Sequence, residues 1–481
     1  MRRFYPALLM LWAIMFFISQ LPLTVSAQTT MPPLKFKERT LSNGLKVYSL
    51  EDHTSPTVAI QVWYHVGSKD DPEGRSGFAH LFEHIMFKST KNMKSEMVDR
   101  LTEDVGGYNN AFTADDVTVY HEVVPSNYLE TLIWAEADRL SGLNVDDPNF
   151  KSERLVVQEE FRQNYVAPPY GKLNLLAEQK SWTTHPYKRP GIGNIEELEA
   201  STLENVKAFH ATFYRPDNAT LVVAGDFDQK QLDAWVDKYF GRIPKPNTPL
   251  PRVTIKEPAR TAEKRYTEYG TNVPLPAILV TYLVPPASSE DAVVLQVADT
   301  ILSGGTSSRL YQALVYQQQL AQEADSYADL REDASLFGLR ITLASDKKPE
   351  DAERALFAEI KRLQDTPVTN AELEKARNLL VTRIYGEREK NEDKALAIGN
   401  AAVLLGDPNR ANTDLQRLQA VTAADVQRVM KKYLTATNRV VITYLPESMK
   451  PSGNASNASV PSRKGQEKRN TLSARRLKGA E

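Results

Sequence analysis

Apolar and polar residues change their spacing several times along this 481-residue chain, and each change marks an element. Beyond residue 30 the period is two. "LKFKERTLSNGLKVYSLED" alternates around Asn43-Gly44, a dipeptide that tolerates the positive φ of a tight hairpin turn. "TVAIQVWYHVGS" supplies a third strand. Over 76–105 the spacing lengthens to that of a helix, and "NAFTADDVTVYHEVV" returns to strand. Residues 126–165 read as two helices with a break near "DDP"; "NATLVVAGDF" is a strand, followed by an amphipathic helix over "DQKQLDAWVDKYFG".

Prolines then crowd the polar stretch "RIPKPNTPLPRVTIKEPARTAEK", the mark of a linker. Beyond it the order repeats. "PAILVTYLVPPASSEDAVVLQVADTILSGGTSSRLYQAL" matches the strand and helix of 57–90, and "ELEKARNLLVTRIYGE" matches "FKSERLVVQEEFRQN". "TAADVQRVMKKYLTATNRVVITYLPES" matches "TLENVKAFHATFYRPDNATLVVAGDFD". Three matches in one order indicate an internal duplication. The expected fold is α+β: two homologous domains, each an antiparallel or mixed sheet with helices packed on one face. The expected divisions are a signal peptide (1–27), a first domain (28–242), a linker (243–264), a second domain (265–447) and a disordered basic tail (448–481).

Composition narrows the function. A net charge of -2 argues against nucleic acid or anionic lipid as the main partner of the body. No cysteine is present, which excludes disulfides, thiolate ligands and a cysteine nucleophile, and leaves His and carboxylate as metal ligands. Arg2 and Arg3, a long apolar run and Val25-Ser26-Ala27 have the layout of a cleavable secretory signal. This implies a secreted, periplasmic protein; an uncleaved N-terminal membrane anchor is the alternative. No later segment is long and apolar enough to span a bilayer. "NASNAS" holds two sequons, at Asn454 and Asn457.

One stretch carries chemistry. In "GFAHLFEHIMF", His80 and His84 stand four apart, so a helix presents both imidazoles on one face, with Glu83 beside them. A catalytic zinc takes three protein ligands and keeps a fourth position for water, from which a neighbouring carboxylate can take a proton. Two ligands and a base are thus in place, and a third ligand must come from elsewhere. All seven histidines precede residue 211, so this ligand pair belongs to the first half. Downstream, Glu153 and Glu160 stand seven apart, two turns of a helix and so on one face, which is otherwise apolar with Leu155, Val156 and Val157. Carboxylates projecting from an apolar helix into a packed region need a partner. Glu159, next to Glu160, is the alternate ligand.

"HLFEH" with "ERLVVQEE" resembles the inverted zinc-binding signature of the pitrilysin and insulinase family of zinc peptidases, which includes the mitochondrial processing peptidase. The similarity spans residues 36 to 447, with "GGYNNAFTADDVTVY", "HPYKRPGIG" and "FYRPDNATLVVAGDF" in support. The resemblance implies a zinc endopeptidase acting on peptides or unfolded segments. It assigns His80, His84 and Glu160 to zinc, Glu83 to general base and Glu153 to a supporting catalytic role. It also implies that Asn110 and Ala111 of "NNAFT" hydrogen-bond the backbone of an extended substrate.

In the second half Gln296 and Thr300 stand in register with His80 and His84, and Ala376 and Arg383 with Glu153 and Glu160, so that half cannot hold zinc in this way. Active relatives carry an Arg and a Tyr after "SRLxQxL"; this chain has "SRLYQAL" followed by Val315 and Gln322 at those positions. The resemblance therefore implies a heterodimer, in which this chain is the zinc subunit and a homologous zinc-less subunit supplies the pair. A non-catalytic scaffold is the competing reading, and the retention of all five imidazole and carboxylate positions weighs against it.

Overall fold

The computed structural model describes residues 31–451; the signal segment, most of the basic tail and both sequons lie outside the described residues. The first sheet contains β1 (Lys37–Thr40), β2 (Lys46–Glu51), β3 (Thr57–Tyr64), β4 (Tyr108–Thr113), β5 (Thr118–Pro125) and β6 (Ala219–Gly225). The second contains β7 (Lys264–Gly270), β8 (Ala277–Val284), β9 (Ala321–Asp329), β10 (Ser335–Leu343) and β11 (Arg439–Pro446). The first runs β1-β2-β6-β3-β5-β4 and the second β7-β11-β8-β10-β9. Without β1 the two orders superimpose, and the parallel pair of each, β2 with β6 and β7 with β11, falls in the same place. The duplication legible in the sequence is thus a repeat of topology, and the fold is two mixed-sheet α+β halves.

Local chemistry explains several of the elements. Gly44 turns the β1–β2 hairpin at φ +92°, and the Asn43 amide anchors that turn by donating to the Phe240 and Ile243 carbonyls at 2.9 Å each. The helical spacing over 76–105 resolves into two helices, Phe78–Ile85 and Met97–Glu103, rather than one continuous run. Between them the chain turns back, where Thr90 and Asn92 both donate to the buried Asp138 carboxylate. "NAFTADDVTVYHEVV" likewise divides into the hairpin β4–β5.

Along β3, Val58, Ile60, Val62 and Tyr64 point into the first core, against helices Phe78–Ile85, Leu129–Gly142, Asp147–Phe161, Leu203–Phe213 and Gln229–Tyr239. Trp63 points the other way, with Tyr48, Leu50, Val222 and Ala224. That opposite face is covered from the second half: helix Asn391–Val403 lays Ala395 and Ile398 on it. The exchange is reciprocal. Helix Gly171–Ser181 of the first half sets Leu173, Leu176 and Ala177 against Ala277, Leu279, Val440, Ile442 and Tyr444 of the second sheet. Each sheet therefore carries its own helices on one face and a helix donated by the other half on the other.

Polar contacts fix the exchange. Gln61 donates to the Glu392 carbonyl at 2.9 Å, and Lys394 pairs with Asp52 at 2.7 Å. Buried Lys69 meets Asp116 at 2.9 Å, Glu332 at 2.6 Å and Asp333 at 3.0 Å, joining a loop of each half. The proline-rich stretch has no regular element before Lys264, yet it is tied down. Arg252 donates to the His65 carbonyl at 2.7 Å, and Arg260 to that of Thr281 at 2.8 Å.

Gly399 lies where the donated helix crosses Trp63, whose indole is held by a 3.0 Å bond to Gln61, and a Cβ there would come within 2.2 Å of the indole. Gly399→Ala gains helix propensity worth about 1 kcal/mol but must displace a buried indole, costing about 1–3 kcal/mol. The steric term is expected to win at this closely packed crossing, with a lowered unfolding midpoint in a denaturant titration.

Candidate metal centre

The helix Phe78–Ile85 buries Phe78, Leu81, Phe82 and Ile85, which turns His80, Glu83 and His84 toward the opposite, half-open face. Its start is built from outside. Asp71 is buried and accepts from Gly77 N at 2.6 Å and from Ala79 N at 2.9 Å, satisfying two amides that a helix start leaves without partners. Gly77 (φ +97°) and Gly193 (φ +85°) meet back to back, so the "PGIG" loop buttresses the same turn, and Glu197 accepts from Ser76 N and Oγ at 2.7 Å each. Near the far end, Tyr120 of β5 donates its hydroxyl to the Phe82 carbonyl at 3.0 Å.

Helix Asp147–Phe161 brings the carboxylates. Asp146 caps it by accepting from Asn149 N at 2.9 Å, and Phe150 and Val157 seat it in the first core. Glu153, Val157 and Glu160 follow one face. Leu155 and Val156 do not belong to that face: they are 62% and 46% exposed, because the helix lies on the surface of its half and only one stripe is buried. Glu160 Oε2 lies 3.5 Å from His80 Nε2 and 3.4 Å from His84 Nε2. Glu153, almost fully buried, approaches His84 Nδ1 at 3.8 Å and pairs with Lys88 at 2.9 Å. Glu159 turns outward to Arg162 and Gln163, away from the imidazoles.

The donor set suits zinc. Tetrahedral ligands about 2.0–2.1 Å from the metal stand about 3.3–3.4 Å from one another, close to the two Glu160–histidine separations. Burial lowers the His80 imidazole to about 4, with His84 adding to the effect and Glu160 opposing it, so the ring is neutral and able to ligate near pH 7. The hydrogen bond from His84 holds the Glu160 carboxyl below its ordinary range, which keeps it anionic. Glu83 differs: burial raises its carboxyl, while the 2.6 Å bond from the Thr113 hydroxyl opposes the rise. Such a carboxyl can both take and return a proton.

Among the described residues, one other set of possible ligands converges as closely, the three carboxylates of Asp116, Glu332 and Asp333 around the Lys69 ammonium. In the second half Thr300 bonds back to the Gln296 carbonyl and Arg383 pairs with Glu387, so no ligand set forms at the repeated position. Val315 lies in the π-helical segment Tyr311–Gln317, half-buried against the second core, and Gln322 lies near the start of β9. Reading the sequence missed Asp71, Lys88 and Thr113. Lys88 carried a signal, being four residues after His84; Asp71 and Thr113 reach the site only through the fold.

Two family descriptions match the chain: "Insulinase (Peptidase family M16)" over residues 46–187, a span that contains His80, Glu83, His84, Glu153 and Glu160, and "Peptidase M16 inactive domain" over 200–380. The chain is 30% identical over 427 residues to the zinc protease PqqE of Helicobacter pylori, covering 88% of this chain and 95% of that protein. It is 24% identical to a probable mitochondrial-processing peptidase subunit beta of Arabidopsis thaliana, covering 86% and 79%. A crystal structure of a Helicobacter pylori protease superimposes with a TM-score of 0.82 at 28% identity, covering 85% of this chain and 99% of that one. The periplasmic protease PqqL of Escherichia coli superimposes at 0.68 and 18% identity; this chain spans 48% of its length.

Replacing Asp71 with Ala leaves two buried amides without an acceptor at the start of the histidine helix. The expected loss is about 1–3 kcal/mol of stability, together with weaker zinc retention on dialysis, read by denaturation and by metal analysis.

Proposed function

The chain belongs to the pitrilysin and insulinase family of zinc peptidases, peptidase family M16, and on that premise we propose that it is a zinc-dependent endopeptidase acting on peptides or unfolded segments. The observation that carries the reading is the approach of Glu160 to both imidazoles, with Glu83 one residue from His84 on the same helix. His80, His84 and Glu160 hold the metal. Zinc, when bound, acts as a Lewis acid toward water and the scissile carbonyl. Glu83 accepts the proton of the attacking water and returns it to the departing amine. Glu153, held by Lys88 at 2.9 Å, sets its carboxylate charge 3.8 Å from His84 Nδ1 and so supports the ligating imidazole electrostatically.

The substrate backbone adds to β4, the outer strand of the first sheet, where Asn110 and Ala111 contact it. Ala111 N already donates to Asn110 Oδ1 at 2.8 Å, so an incoming carbonyl takes over a donor that is held in place. The second half, whose family description is that of an inactive domain, closes the chamber from the other side. Localisation follows from the leader: a secreted, periplasmic protein released by signal cleavage, or held at the membrane if the leader stays. Among the described residues no helix is long and apolar enough to cross a membrane.

Glu83→Gln compared with wild type tests the core of the reading. Zinc content should be unchanged while kcat on an unstructured peptide falls at least about 100-fold; equal cleavage by both chains would sink it. His80→Ala should lose the metal.

With Val315 and Gln322 in place of the Arg and Tyr of active relatives, the partner is a homologous zinc-less subunit carrying that pair. The isolated chain should then cleave slowly, with activity restored by adding such a subunit. Full activity alone would refute the heterodimer.

A further inference from the structure

Thr113 closes β4 at the end nearest Glu83 and donates its hydroxyl to Glu83 Oε2 at 2.6 Å. Alternation along β4 sorts its side chains. Asn109 donates to Thr102 and Ala111 packs on the first core, so these two and Thr113 face the layer of helices that carries the histidines. Tyr108 reaches Glu392 and Phe112 meets Trp63 edge-on, so these, with Asn110, face the donated helix. Thr113 is fixed in turn by its ladder position opposite Thr118, whose own hydroxyl donates to the Val66 carbonyl at 3.0 Å. Among the described residues, no other side chain donates a hydrogen bond to Glu83. A carboxylate on two or three freely rotating bonds contributes little as a base unless something holds it within reach of its proton.

We propose that Thr113 is the positioning residue for Glu83: its hydroxyl engages Oε2 and sets the rotamer, leaving Oε1 for proton transfer. The inference rests on the reading of Glu83 as general base. It makes the docking strand and the base one mechanical unit, because the strand that receives the substrate backbone also carries the group that aims the base. A displacement of β4 is thereby transmitted to the proton-transfer step.

The test uses Thr113→Val, which keeps shape and β-branching but lacks the donor, and Thr113→Ser, which keeps the donor. Kinetics are measured on the zinc-loaded chain, with the partner subunit present if turnover requires it. Thr113→Val should lower kcat by about 10–100-fold with KM and zinc content nearly unchanged, and Thr113→Ser should restore most of it. A second readout needs no turnover: in the metal-free chain Thr113→Val should lower Tm by about 1–3 °C, and by none in a Glu83→Ala background. A Thr113→Val chain with wild-type kcat, a Ser variant as impaired as Val, or a Tm loss that persists without Glu83 would each overturn the proposal. If Glu83→Gln itself cleaves like wild type, the base assignment falls; if Glu83→Gln is inactive and Thr113→Val is not, only the positioning role falls.

Discussion

The Glu160 carboxylate stands about equally far from two imidazoles on a different helix, and the site depends on that spacing. Two helices separated by more than 60 residues of chain must hold their register to within a few tenths of an ångström. Neither helix does this alone. One is an eight-residue segment, too short to be stable in water by itself. It is held by Asp71 at its first turn, by Tyr120 at a carbonyl near its end and by a wall of aromatic and aliphatic side chains beneath it. The other is seated by Phe150 and Val157, with Glu153 and Glu160 projecting from the same stripe. The placement of the two imidazoles and the carboxylate therefore depends on apolar residues that look unrelated to them.

That dependence extends to the second half. The sheet beneath the site is apolar on both faces, and its rear face is covered by a helix that begins 166 residues after β6 ends. Its counterpart, Gly171–Ser181, begins ten residues after the Glu160 helix ends, beyond a π-helical segment, and packs on the second sheet. One end of the site-bearing segment is thus anchored in the other half of the molecule.

The charges between the halves follow the same logic. Lys69 and Asp116 are buried and join the half-buried Glu332 and the more exposed Asp333, with Tyr187 donating to Asp116 at 2.5 Å. A buried ion pair contributes little net stability against an apolar replacement, yet separating it is costly. Such a cluster favours one relative placement of the halves over many near misses.

Much of this was legible in the residues. Spacing alone put His80, Glu83 and His84 on one helical face, and seven-residue spacing put Glu153 and Glu160 on another, because helical periodicity is local. The internal repeat announced two halves of one topology. Tertiary structure decided the rest. Leu155 and Val156 are apolar but exposed, since burial depends on which stripe meets the core. The crossed helices, the cap from Asp71 and the bond from Thr113 to Glu83 join residues between 6 and 334 positions apart. The sequence by itself determined which groups could do the chemistry and which faces they share. Only the packing of two interlocked sheets decided that they meet, because contacts between distant segments follow from burying both faces of each sheet and leave no periodicity to read.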